Sequence, residues 1–223
     1  KLNGADQESD PCISGVGRYC AKALEYYSAD SYATFRTLIV DLLHYSAKAQ
    51  IYTNYKTEAL ADATLTAEQL AWGTQDDPAL NNHFVPKLKT IENATATWKG
   101  AGLVLDSAVT LKLMFATESI EGLKVQIVIE GGKTIVIEGE QYFNYDAENN
   151  RYNLYVNGLN ANQMSKKLEL TILDADGNAI SDTAQYSIES YAYEKQNSGI
   201  LGLADLVKAM MNYGNAAVAY SKK

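Results

Sequence analysis

Part of this chain occurs twice, and that repetition narrows its possible folds more than any other feature. Leu38–Tyr52 (LIVDLLHYSAKAQIY) aligns with Leu206–Tyr220 (LVKAMMNYGNAAVAY) in one register, since 206 − 38 and 220 − 52 both equal 168. Tyr45 falls on Tyr213, Ala49 on Ala217, and Leu42 on Met210 in a volume-conserving exchange. With a one-residue slip upstream, Tyr19 and Cys20 fall on Tyr186 and Ser187. A period this long marks a duplicated module, because solenoid units repeat every roughly 20–50 residues. A long β-patterned stretch precedes the second copy and almost nothing precedes the first. The chain is therefore expected to be an excerpt of a larger repetitive protein, with neighbouring modules as partners.

Both copies carry helical periodicity. Phe35, Leu38, Ile39, Leu42, Ala49 and Tyr52 share one face in the first, with Arg36, Asp41, His44 and Lys48 mostly opposite. Leu203, Leu206, Val207, Met210, Gly214 and Ala217 form the stripe of the second. A shorter helix is predicted ahead of each, near Gly17–Tyr27 and Ser187–Lys195, giving residues 1–55 and 189–223 as helical hairpins. Residues 56–90 read as a connector. Thr66, followed by Gln69 three residues on, is a capping box for a short helix that Gly73 ends. The apolar Leu60, Leu65, Trp72, Leu80 and Phe84 favour a packed strap over a free linker.

The period changes to two across residues 91–188. Val109, Leu111, Leu113 and Phe115 alternate with Thr110, Lys112 and Met114, and Val125–Ile129 is joined to Ile135–Ile137 through Gly131-Gly132, a hairpin signature. Tyr152, Leu154 and Val156 follow, then Leu168, Leu170 and Ile172, and a last strand near Thr183–Ile188. Short strands in succession with no helix-period segment between them disfavour parallel βαβ architecture. The expected fold class is α+β: an immunoglobulin-like antiparallel β-sandwich flanked by amphipathic helical hairpins. An antibody-type Cys…Trp…Cys pattern is absent, so the likeness is architectural.

Chemistry is sparsely signalled. The formal net charge of −8, with no basic stripe to offset it, argues against nucleic acid as a partner. The longest apolar run, Leu38–Leu43, is interrupted by Asp41 and falls far short of the ~20 residues of a membrane span, so no membrane insertion is expected. His44 and His83 have no evident nucleophile or partner, which leaves no catalytic residue to name and predicts no enzyme. Cys12 and Cys20 sit eight residues apart, a spacing that leaves open a local disulfide or two ordinary thiols. Two cysteines and two scattered histidines do not make a tetrahedral metal set. Asp174, Asp176 and Asn178 alternate like a calcium loop, but Gly177 and Gln185 stand at the wrong positions, and a hairpin turn explains them better. Neither metal nor cofactor is expected.

Tyrosine stands out, with 16 copies. Tyr142, Phe143, Tyr145 and Tyr155 crowd one hairpin, where exposed rings could stack on sugars or anchor a protein partner. Cross-strand packing of aromatic residues is the simpler alternative. Tyr45, Tyr52, Tyr213 and Tyr220 recur between copies, which favours packing for them.

Three runs carry a family resemblance: Tyr155–Ser165 (YVNGLNANQMS), Asp174–Ser181 (DADGNAIS) and Tyr186–Ala192 (YSIESYA). Together with Leu206–Tyr220, the chain resembles a module repeated in large surface proteins of gut Gram-positive bacteria. The two copies differ where Gln50 falls on Val218. The resemblance implies an extracellular location on the bacterial cell surface and supplies no catalytic residues. It points to a binding module for a host protein such as an immunoglobulin, in the manner of a superantigen. A carbohydrate-binding module and a structural spacer are the alternatives.

Overall fold

The computed structural model describes residues 16–105 and 109–223, so Cys12, one half of the disulfide considered above, lies outside the described residues. The architecture is α+β, with two antiparallel sheets and five α-helices among the described residues. The helices are α1 (Val16–Tyr26), α2 (Ala33–Thr53), α3 (Ala67–Leu70), α4 (Ile188–Lys195) and α5 (Leu203–Ser221). The strands are β1 (Val85–Lys89), β2 (Ala96–Leu105), β3 (Val109–Thr117), β4 (Lys124–Ile129), β5 (Lys133–Glu138), β6 (Phe143–Asp146), β7 (Arg151–Val156), β8 (Leu168–Leu173) and β9 (Thr183–Tyr186).

One sheet runs β1-β9-β8-β4-β5 and the other β2-β3-β7-β6. Strict alternation decides which side of each is dry. Along β4, Val125, Ile127 and Ile129 are buried while Lys124, Gln126 and Val128 are half-exposed, and β3 and β8 behave alike. The inward residues of both sheets form a single core with Leu111, Leu113, Phe115, Val125, Ile127, Leu154, Leu170 and Ile172 at its centre. Each such side chain contributes roughly 1.5–3 kcal/mol of burial, an upper figure because the unfolded chain is itself partly collapsed.

The two repeat copies meet as α2 and α5. Phe35 at the start of α2 touches Tyr220 near the end of α5, with ring centroids 5.7 Å apart, and Lys48 reaches Asp205 at 3.7 Å, so the helices are antiparallel. Near the middle Tyr45 stacks on Tyr213 at 6.0 Å with only 5° between the rings. These two tyrosines occupy equivalent positions of the repeat. The duplication therefore pairs with itself about a local two-fold axis close to that stack.

The connector differs from expectation at its far end. Val85–Lys89, taken from sequence as part of residues 56–90, is the edge strand β1 and pairs with β9. All five of its residues are exposed and Pro86 lies among them, so neither alternation nor an apolar run marks it. Earlier in the connector the capping box forms: Thr66 accepts from the Gln69 backbone at 3.2 Å, and Gln69 returns the bond to the Thr66 N–H at 3.0 Å.

The connector lies against α2, which explains a second difference. Arg36 and Asp41, read as members of a polar face, are 7% and 4% exposed. Asp41 accepts from the Thr74 N–H at 2.8 Å and its hydroxyl at 2.7 Å. Arg36 donates to the Ser28 carbonyl, pairs with Asp30 at 3.2 Å and lies over the Trp72 ring at 4.5 Å. Gln50 holds three backbone groups of Lys56, Ala59 and Ala61. A Cβ on Gly73 would stand 2.7 Å from Val40, so the strap closes here only because residue 73 has no side chain.

Candidate functional site

The four aromatic residues singled out from sequence do not form one surface. Phe143 is a core residue, 6% exposed and edge-on to Phe115 at 5.7 Å. Tyr145 follows two residues later on the same side of β6, yet it lies at the open end of the strand and is 57% exposed. Tyr155 points away from the core, with the Lys112 ammonium 5.8 Å from its ring centroid. Tyr142 sits exposed in the turn before β6. The period of two that places Phe143 inside also sends Tyr145 and Tyr155 to opposite faces.

Tyr145 instead joins Tyr152, its cross-strand partner, with ring centroids 5.1 Å apart. Its hydroxyl donates to Asn150 at 2.9 Å. The pair lines a groove of about 270 Å³ whose other wall is Thr95, Thr97, Thr117 and Glu118. The loop below it is held by Asp146, which accepts from Asn149 and from Arg151 at 3.1 Å. The amide of Asn149 and the guanidinium of Arg151 hold the Asp146 carboxyl below its ordinary range.

A denser aromatic surface lies at the helical corner. The Tyr27 ring sits edge-on between Tyr26 at 4.9 Å, Tyr32 at 4.9 Å and Phe35 at 5.2 Å, and Phe35 continues the chain of rings to Tyr220. Tyr26 is 81% exposed, Tyr19 one heptad earlier on α1 is 69% exposed, and Tyr32 and Tyr220 are also exposed. The inner side of α1 meets α2 through Cys20, Ala23 and Leu24, which fixes the outward side. The spacing of Tyr19 and Tyr26 by seven was the available sequence signal.

Both histidines have carboxylate partners, unlike the sequence expectation. His44 Nδ1 lies 3.1 Å from Asp62, and His83 Nε2 lies 3.5 Å from the buried Glu189. Ser187 and Ser190 lie near His83 without forming a nucleophile site. The Ser187 hydroxyl caps α4 by accepting from the Ser190 N–H at 2.9 Å, and the Ser190 hydroxyl accepts from the His83 backbone N–H at 3.2 Å. These contacts tie the connector to α2 and α4. Asp174 closes its hairpin by accepting from Asn178, whose backbone N–H holds the carboxyl below its usual range. Among the described residues, no cluster of three His, Cys, Asp or Glu could hold a metal ion, and no helix is long and apolar enough to cross a membrane.

No protein-family model, curated protein or solved structure matches the chain. Its geometry therefore supplies two aromatic surfaces, one on helices and one at the end of the two-sheet unit, as the candidate binding sites.

Proposed function

We propose that this chain is a non-catalytic binding module of a bacterial cell-surface protein, and that its helical aromatic corner engages a host protein. Immunoglobulin is the class of partner the family resemblance implies. The observation that carries this reading is the run of touching rings from Tyr26 through Tyr27, Tyr32 and Phe35 to Tyr220, with four exposed tyrosines counting Tyr19. Tyrosine brings large contact area at low entropic cost and dominates binding hot spots. Rings already packed on one another lose little freedom when a partner arrives.

The two-sheet unit is read as an immunoglobulin-like scaffold. Support comes from strand order: β2-β3-β7-β6 follows the A-B-E-D order and β9-β8-β4 the G-F-C order of that fold, with β5 beside β4 as C′. The departure is β1, which precedes the whole set in sequence and covers β9.

Biolayer interferometry of the purified chain against polyclonal immunoglobulin tests the proposal. Binding should weaken at least tenfold in Tyr26→Ala and Tyr32→Ala, about 1.4 kcal/mol or more. Absence of binding, together with no dominant protein retained from host secretions at high salt, would reject the protein-binding reading. The groove beside Tyr145 and Tyr152 favours a second reading, a glycan stacked on the tilted ring pair with Thr97 and Asn150 as polar neighbours. A glycan array should then show a hit that Tyr145→Ala abolishes.

A further inference from the structure

Between the edge strands β1 and β2 the two sheets part around a cavity of about 240 Å³. Two irregularities open it. In β2, Trp98 pairs with Phe115 and Gly100 with Met114, which leaves Lys99 as the extra residue of a bulge. In β1, the register slips between Val85 and Lys89, where Pro86 has no N–H to offer. The walls are apolar: Phe84 and Pro86 on one side, Trp98 on the other, Leu170 and Ala184 at the floor. Bulges in strands recur beside binding sites because they re-aim a side chain and end pairing locally.

One polar group of this cavity is buried and unsatisfied, and a second stands exposed at its rim. Tyr186 lines it, is 2% exposed, and its buried hydroxyl has no hydrogen-bond partner among the described residues. A buried donor left unpaired costs about 1–3 kcal/mol, so the position favours anything that brings an acceptor. Lys99, the bulged residue, is solvent-exposed at the mouth of the cavity and makes no ion pair among the described residues, whereas the nearby Lys87 is taken by Asp182 at 3.2 Å. The Trp98 N–H is occupied, donating to the Asp182 carbonyl at 3.1 Å. One uncharged donor and one cation thus border an aromatic slot. An apolar cavity of roughly 150 Å³ already holds benzene, so this one has room for a ring with a short chain.

We propose that this slot is a binding site for a small aromatic monocarboxylate, with its ring among Phe84, Trp98 and Leu170 and its carboxylate held by Tyr186 and Lys99. The protein-binding corner lies on α1, α2 and α5, so this site stands or falls independently of it. Trp98 is a built-in reporter. With 3-phenylpropionate as the probe, titration of a Trp72→Phe background should give a saturable change in Trp98 fluorescence, with Kd between micromolar and low millimolar. Tyr186→Phe and Lys99→Gln should each raise that Kd at least fivefold, and 3-phenylpropionamide should bind correspondingly worse than the acid. Ala184→Leu, which fills the floor, should abolish the response while the far-ultraviolet circular dichroism stays unchanged. A Trp98 signal that does not saturate would overturn the proposal. So would a Kd unchanged in both Tyr186→Phe and Lys99→Gln, two substitutions that keep the fold's volume.

Discussion

The helices α2 and α5 carry the two segments that align at the offset of 168 and meet along equivalent seams, yet their backs are built from different chemistry. The seam holds Tyr45 and Ala49 on one helix and Tyr213 and Met210 on the other. On its back α2 buries Arg36 and Asp41, and its His44 and Gln50 reach the connector. The corresponding positions of α5 are Ala204, Ala209, Asn212 and Val218, and α5 buries no charged residue. The strap reaches both helices, through Thr74 on Asp41 of α2 and through Asp76 and Asp77 on Asn212 and Lys208 of α5. Of the two it meets buried charge only on α2, and an apolar turn around Met164 packs on α5. The aligned positions thus keep their residue types where the two helices meet, while the backs differ with the neighbour each helix meets. Buried charges survive on α2 because Thr74 bonds Asp41 while Asp30 and the Trp72 ring partner Arg36, whose Nε alone is left without a hydrogen bond among the described residues.

Exchanging the two backs tests this most severely. Ala209→Asp copies the α2 residue onto α5, where residue 209 is 4% exposed and no Thr74 equivalent waits. An uncompensated buried carboxylate should lower stability by about 3–5 kcal/mol, read from the urea midpoint by circular dichroism. A loss below about 1 kcal/mol, within the usual range of tolerated changes, would mean the back of α5 reaches water and the contrast is false.

A milder probe uses the equivalent pair Ser46 and Gly214. A Cβ at 214 would stand 3.0 Å from the Met164 sulfur and 3.2 Å from the Ala161 carbonyl oxygen, which is backbone and cannot swing away. Gly214→Val should therefore cost roughly 1–3 kcal/mol through overpacking. Ser46→Val, on half-exposed α2 surface, should stay within about 0.5 kcal/mol. Similar losses at both sites would show that the two backs are equally crowded.

The shared seam has its own test in the Tyr45–Tyr213 stack. A double-mutant cycle with leucine at both positions should return a coupling of about 0.5–1.5 kcal/mol. The repeat-related pair Tyr52 and Tyr220, at opposite ends of the antiparallel helices, should couple by less than about 0.5 kcal/mol. Equal couplings would remove the two-fold axis from its place at the stack.

What the sequence disclosed follows the same division. The seam was legible because residues facing an equivalent partner keep their type, and the constant offset of 168 exposed them. The inward faces of β3, β4 and β8 were legible because period two has no competing explanation there. The back of α2 was not: Arg36 and Asp41 look like solvent-facing charges until Thr74 and Trp72, more than thirty residues away, are placed over them. Strand β1 was hidden by its full exposure and Pro86. The aromatic site was partly legible. Tyrosine density flagged the β6–β7 hairpin, but Phe143 is core and the richer surface at Tyr19, Tyr26 and Tyr32 needs α1 and α2 packed together before its rings converge.

The smallest effect expected separates the back of α2 from the two-sheet unit by pH. Burial raises the Asp41 carboxyl above its ordinary 3.8 in spite of the two bonds from Thr74, whereas Asp146, Asp174 and Asp182 in the two-sheet unit are lowered from the same value. For the lowered groups the folded state releases protons more readily than the unfolded chain. Their stabilisation is present above 3.8 and is lost as pH falls through their depressed values. Asp41 runs the other way: the folded chain holds its proton more tightly, so its contribution improves as pH falls through its raised value toward 3.8. Wild-type protein should therefore lose less stability between pH 7 and pH 3 than Asp41→Asn, which lacks the opposing contribution, and more than Asp182→Asn. Urea midpoints across that range measure both differences. If Asp41→Asn proves the less acid-sensitive protein, the Thr74 bonds outweigh burial, and the back of α2 would be an anion site held open by the strap instead of a charge tolerated beneath it.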